Sequence, residues 1–281
     1  MLRSPLLIAH LSALLLGGAS LFPRLLPLEA ALLVPLRTAL AAALLLSVAM
    51  AQRSSWAWLR AATLGELLLL SALLGGHWWA YFSAIQAGGV GPAVVLVYSA
   101  PVLTVLLEAL LYRRLPSATA VLAGLGVMAG AALVAGPALL QGTSRTAGLA
   151  LLAALLYALR NLWLAERFRA PPAVPLAGLQ FAGVALLGLP ALAGGVALEA
   201  QQGLWLLLFG AAFTALPHLG VVRALQQLPA STVGMITSLE VPYALLFATL
   251  LLGESPPPTL LAGGACILAS ALLASRRGSA A

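Results

Sequence analysis

The chain has 281 residues, of which 62% are hydrophobic and 7% charged, and a formal net charge of +7. A soluble domain carries about 25% charged residues, so this composition cannot cover a water-facing surface. It excludes a soluble enzyme and a disordered chain, and it assigns most of the length to lipid. Every basic residue is an arginine and every acidic one a glutamate. The lone Cys266 excludes an internal disulfide and a cysteine-based metal site.

A bilayer core of about 30 Å needs about 20 apolar residues per helix. In chain order, such stretches predict spans near 5–22, 28–50, 61–84, 91–111 and 117–136, then 146–165, 173–194, 203–224, 229–252 and 257–275. The stretches are apolar on every face, whereas barrel strands alternate, so the expected fold is an all-α membrane protein of ten transmembrane helices. Short breaks are expected at Gly88-Gly89 and Leu228-Pro229. Arg3, an apolar run and Gly17-Gly18-Ala19-Ser20 resemble a cleaved signal peptide, but the segment has a counterpart in the second half and is read as an uncleaved first helix.

Arginine placement gives the orientation. With the N-terminus inside, the inner ends and loops hold Arg3, Arg53, Arg60, Arg113, Arg114, Arg167, Arg169, Arg276 and Arg277, and the outer loops only Arg24 and Arg145. Cytoplasmic loops collect arginine, so both termini are expected in the cytoplasm. The positive charge is then a topology signal and no footprint of nucleic acid.

A shift of 141 residues lays the second half on the first: His77 on His218, Gln86 on Gln227, Pro101 on Pro242, Leu110-Leu111 on Leu251-Leu252 and Pro116 on Pro257. Two homologous halves are expected, at 1–140 and 141–281. Five helices per half is an odd number, so the second half enters the membrane from the opposite side. Inverted repeats of this kind are a transporter architecture, with the substrate near the midplane between the halves.

Ionisable and polar residues inside a span are expensive and so are candidate site residues. His77 and Tyr81 are four apart on one helix face, with Trp78 and Trp79 beside them; both tryptophans cannot face one cavity. A backbone carbonyl is the alternative partner for His77. His218 follows Pro217, where a broken helix can free carbonyls. Tyr98, Pro101 and Glu108 fall within about 80° of one another around the fourth helix. Glu108 either binds a proton or a substrate ammonium, or pairs with Arg37 to offset both charges. In the ninth span, Ser238 and Pro242 share a face and Glu240 lies opposite, as an inter-helix partner. In the sixth, Tyr157, Arg160 and Trp163 form a slanted row whose rings suit a flat ligand, although tryptophan near a helix end also serves as an interfacial anchor. Gly124, Gly126, Gly130, Gly263 and Gly264 are expected at close helix contacts. No G-x-x-x-x-G-K-[ST], H-E-x-x-H or G-x-S-x-G occurs, which removes ATP-driven transport and the simplest hydrolase readings.

The stretch Pro229-Ala230-Ser231-Thr232 through Ser238-Leu239-Glu240-Val241-Pro242 to Leu251-Leu252-Gly253-Glu254 resembles the ninth helix of EamA-type members of the drug/metabolite transporter superfamily. Pro101 to Leu111 followed by Pro116 is similar to its first-half counterpart, and Leu26-Pro27-Leu28 leading to Arg37-Thr38-Ala39-Leu40-Ala41 resembles the family's second helix. The resemblance covers nearly the whole chain. It implies a ten-helix exporter or exchanger of small metabolites in the inner membrane, with a cavity lined by helices 1, 3, 4, 6, 8 and 9. Within the family, the aromatic amino-acid exporters are the most similar, with His and Tyr on helix 3, Tyr on helix 4 and Trp on helix 6. The matching residues here are His77, Tyr81, Tyr98 and Trp163. One departure is the pair Arg113-Arg114, which replaces the family's acidic residue after the fourth helix.

The reading at this stage is a secondary transporter of a bacterial inner membrane, working by alternating access on small metabolites, amino acids first. His77, Tyr81, Tyr98, Trp163 and Ser238 line the substrate site, Glu108, Arg37 and His218 are coupling or structural charges, and Pro101 and Pro242 are hinges. A cationic-drug exporter and an intramembrane lipid-modifying enzyme are the alternatives. No cofactor, metal or nucleic acid is expected; the partners are the lipid bilayer and a small-molecule substrate, and a monomer suffices.

Overall fold

A computed structural model describes residues 4–19, 22–26, 28–88, 90–135, 143–196, 198–253 and 258–278. Arg3, Ser20, Pro27, Gly89, Gly142, Glu254 and Pro257, and the expected boundary between residues 140 and 141, lie outside these.

The described residues form ten membrane-crossing segments. The first half contains α1 (Pro5–Ala19), α2 (Ala30–Ala51), α3 (Ala61–Gly88), α4a (Val90–Val97) with α4b (Ala100–Leu111), and α5 (Ala118–Ala135). The second contains α6 (Ser144–Arg167), α7 (Ala173–Leu187), α8 (Ala200–Gly210 continuing through Leu216–Leu225), α9a (Ala230–Thr237) with α9b (Glu240–Leu252), and α10 (Pro258–Gly278). Five of these are both long and apolar enough to cross a bilayer unaided: Ala30–Ala51, Thr63–Ala87, Ser144–Arg167, Ala200–Leu225 and Ala230–Leu251. The seventh span ends earlier than its hydropathy suggests, at Leu187, and Leu189–Leu192 makes a 3₁₀ turn.

The helix neighbours repeat across the halves. α3 packs on α6 as α8 packs on α1, and α4 packs on α6 as α9 packs on α1. The pairs α2–α7 and α5–α10 each map onto themselves when the halves are exchanged. This is the contact pattern of a two-fold axis, and five crossings per half place that axis in the membrane plane. Leucines such as Leu69, Leu151, Leu186, Leu250 and Leu272 face outward and are exposed, a surface suited to lipid tails and not to water.

Small residues let the helices approach where lipid supplies no hydrophobic drive between them. Gly130 of α5 lies against the Gly263 carbonyl and Ile267 of α10, and Gly126 against Ser270. Gly124 meets Val102 of α4b, and Gly264 meets Pro242 of α9b.

Three helices are interrupted at mid-membrane. α4 breaks at Tyr98-Ser99 and α9 at Ser238-Leu239, two to four residues before Pro101 and Pro242, which have no N–H to continue the ladder. Side-chain hydroxyls take up carbonyls at both breaks: Ser99 Oγ donates to Leu96 at 2.7 Å, and Ser238 Oγ to Gly234 at 3.0 Å. In α8, Ala211–Ala215 forms a wide π turn just before Pro217. Tyr98, Pro101 and Glu108, expected on one stripe of a single helix, are divided by the turn at Tyr98-Ser99, with Tyr98 bonded to Glu240 and Glu108 to Ser231.

Candidate central site

The interruptions bring a group of polar and aromatic side chains together between the halves. His77 of α3 is buried, and its Nδ1 lies 2.9 Å from the Ala153 carbonyl of α6. A carbonyl only accepts, so Nδ1 donates, and in the neutral ring Nε2 is left as an acceptor. The His77 ring stacks on Tyr81, 6.3 Å away and 5° from parallel, and meets Tyr157 of α6 at 4.7 Å with the rings tilted by 30°. Asn161 and Thr237 approach the Tyr157 hydroxyl. The hydroxyl of Tyr98, at the α4 break, donates to Oε1 of Glu240, the first residue of α9b.

His218 occupies the corresponding place in the second half. Its Nδ1 donates to the Thr214 carbonyl at 3.0 Å, within the π turn one helical turn before it. The edge of Trp78 meets the His218 ring at 5.3 Å, and Phe181 of α7 meets it at 5.6 Å. Trp78 is buried here, while Trp79 is 56% exposed on the outer face.

Two arginines border the same group. Arg37 of α2 holds its guanidinium over Trp78, 4.1 Å from the ring centroid, with Phe209 at 5.1 Å. Arg160 of α6 donates from Nη1 to Asn161 at 2.9 Å and from Nη2 to Gln180 at 2.6 Å. Gln180, the one amide in α7, is itself fixed by donation from Nε2 to the Leu70 carbonyl at 3.2 Å.

Some expected site residues stand elsewhere. Trp163 faces outward at 36% exposure and does not join the aromatic group; Tyr157, two turns earlier, stands there instead. Ser238 is buried, and its hydroxyl hydrogen is committed to Gly234 within its own helix. Glu108 is not paired with Arg37. It accepts from the Ser231 backbone N–H at 3.0 Å and from the Ser231 hydroxyl, and so caps the start of α9a. A carboxylate there satisfies free N–H groups and faces the positive end of the helix dipole. Glu108 also lines a cleft of about 430 Å³ with Tyr112, Arg114, Ser231 and Met235, between α4b, α5 and α9a. Pro101 and Pro242 stand at the starts of α4b and α9b.

The sequence reading missed the partners of Glu240 and Arg160. Gln180, as the only polar residue in an apolar span, was the available signal for the second. Among the described residues no three His, Cys, Asp or Glu side chains are grouped to hold a metal.

Two inverted five-helix halves, with interrupted helices meeting at a buried polar group, define a multi-pass membrane carrier. The EamA-like transporter family matches residues 3–136 and again 144–276, so this chain belongs to that family of the drug/metabolite transporter superfamily. It is accordingly a membrane transporter of small molecules. A solved crystal structure is similar over 98% of this chain and 99% of its own, with a TM-score of 0.83 and 18% identity, a likeness of fold alone. No curated protein matches the sequence.

Proposed function

We propose that the protein is a secondary transporter that exports or exchanges small metabolites, chiefly amino acids, across a bacterial inner membrane by alternating access. The observation that carries this reading is the tie from Tyr98 to Glu240, which joins the broken α4 of one half to the broken α9 of the other beside the His77–Tyr81–Tyr157 group. Transporters built from inverted repeats hold their substrate beside interrupted helices between the halves, and rings there suit a flat or apolar side chain. His77, Tyr81 and Tyr98 form the substrate wall in this reading, joined by Tyr157 and Glu240, and Pro101 and Pro242 act as hinges. A cationic-drug exporter needs an ionised carboxylate free in the cavity; Glu108 is engaged in a helix cap and Glu240 with a phenol, which favours metabolites. An intramembrane enzyme has no use for two pseudo-symmetric halves.

In this reading both termini are cytoplasmic, which the arginine pattern supports. Cysteine labelling in a Cys266-free background tests this: positions at Arg53 and Arg113 should react from the inside and Thr143 from the outside. The transport reading is tested by uptake of radiolabelled amino acids into proteoliposomes holding only this protein. Saturable uptake supports it, and lipid turnover without solute movement reverses it.

A further inference from the structure

The two buried arginines carry more charge than their surroundings return. Arg37 is 6% exposed and Arg160 fully buried. A guanidinium keeps its charge at any physiological pH, and removing it from water is strongly unfavourable unless an anion pairs with it. Neither finds one among the described residues. Glu66 and Glu166 pair with Arg167 and Arg169, Glu108 caps α9a, Glu199 caps α8, and Glu240 takes the Tyr98 hydroxyl. Glu29 stands before the start of α2.

The arginines are nonetheless held in place. Arg37 lies over Trp78 and near Phe209, and its Nε and Nη2 have no hydrogen-bond partner among the described residues. Arg160 is gripped by two neutral carbonyls, of Asn161 and Gln180, and its Nε is also without a partner. Gln180 is fixed from behind by Leu70, and Ser71 donates to the Gln180 backbone carbonyl at 3.0 Å. Neutral dipoles orient a guanidinium without cancelling its charge. Arg37 lies over Trp78, Trp78 and Phe181 both meet the His218 ring, and Arg160 is held by Gln180, the chain neighbour of Phe181, so the two arginines border one neighbourhood. Trp78, Phe181 and Tyr157 surround it with rings. The group thus holds two fixed cations against one carboxylate that is already engaged.

Building on the transporter reading, we infer that this neighbourhood is an anion site: Arg37 and Arg160 bind the carboxylate of the transported solute, and the rings take a flat body attached to it. A guanidinium fork suits a planar carboxylate, and an orphaned N–H is satisfied only when such a ligand enters. Solutes carrying a carboxylate are accepted and simple cations refused.

The test uses three probes that share one ring and differ in the charge of a small substituent, on the purified full chain: benzoate, benzylamine and benzyl alcohol. Benzoate should raise the thermal unfolding midpoint saturably, and the other two should not. Arg37→Met and Arg160→Met should each raise the half-saturating benzoate concentration at least tenfold. Their ligand-free midpoints should hold or rise, because an unpaired buried charge has gone; a purely structural arginine would instead lower them. A folded Arg37→Met and a folded Arg160→Met that both keep the wild-type benzoate response overturn the site. Where the variants do not fold, the wild type decides: benzylamine matching or exceeding benzoate overturns the inference. Uptake of amino acids by a protein indifferent to benzoate overturns the anion site and leaves transport standing. Benzoate binding with no solute movement does the reverse.

Discussion

Tyr98 and Glu240 sit at the breaks of two helices that occupy the same place in the two halves, and the phenol of one donates to the carboxylate of the other. The serine hydroxyls at these breaks instead close within their own helices, Ser99 to Leu96 and Ser238 to Gly234. The Tyr98–Glu240 bond, like that of Glu108 to Ser231 nearer the helix ends, is a polar link between elements that must move if the halves rock. Removing the hydroxyl leaves a buried carboxylate short of a donor, and replacing the carboxylate by an amide removes the charge that makes the bond strong. A double-mutant cycle on Tyr98→Phe and Glu240→Gln, read by denaturation in mixed micelles, should give a coupling of about 1.5–3 kcal/mol. Additive single effects would show that the two residues are only neighbours.

Glu108 is predicted to act through the helix it caps. Gln retains an acceptor for Ser231 but loses the charge facing the α9a dipole, so Glu108→Gln should cost about 1 kcal/mol of stability, and Ser231→Ala a similar amount. Accumulation driven by a pH gradient should persist in both variants. A stable Glu108→Gln protein that loses gradient-driven accumulation but keeps exchange would make Glu108 a proton carrier instead.

The two aromatic candidates on α6 should separate cleanly. Tyr157→Ala removes a ring that meets His77 and should weaken substrate binding by about 1 kcal/mol, roughly fivefold in Kd. Trp163→Ala should leave binding unchanged, since that ring faces outward. Competition binding with a labelled substrate measures both, and equal losses would return Trp163 to the site.

The ten crossings were legible because lipid imposes one rule on all of them. A backbone that cannot reach water must form a helix, and the membrane thickness fixes its length. The second span, read at 28–50, is the helix Ala30–Ala51, and the third, read at 61–84, runs Ala61–Gly88. The repeat was legible through the prolines and histidines it carries, and the halves do exchange in the contact pattern.

Partners were less legible, because they depend on rotation and break geometry that an apolar run does not encode. Trp163 lies about 120° around the helix from Tyr157 at 100° per residue, so the slanted row expected on α6 could present only part of itself inward. For Glu108 the sequence offered a proton or substrate ammonium, or an arginine such as Arg37, whereas the partner in space is the N-terminus of α9a at Ser231. The π turn at Ala211–Ala215 left no mark beyond Pro217, and the placement of His218 follows from it.

The α5–α10 contact should tolerate no added bulk. A Cβ at Gly130 would lie 2.6 Å from the Gly263 carbonyl oxygen and 2.7 Å from Ile267, so Gly130→Val should destabilise the protein by about 1–3 kcal/mol. Gly148 on α6 has nothing within 4 Å of that position, and Gly148→Ala should be neutral or stabilise by up to about 1 kcal/mol through helix propensity. Thermal unfolding of the two variants, compared side by side, checks the glycine-mediated approach.

The most direct measurement of the central claim is counterflow. Proteoliposomes loaded with unlabelled phenylalanine and diluted into labelled phenylalanine should accumulate label transiently, in proportion to the internal load, with no gradient of pH or voltage. Alternating access through one site between the halves requires this, since each outward trip with unlabelled solute returns the site for a labelled one. Tyr98→Phe should slow the overshoot without abolishing saturation. If carboxylate-bearing solutes entered linearly with concentration and without regard to the internal load, the protein would be a passive pore, and the two-half carrier account would fail.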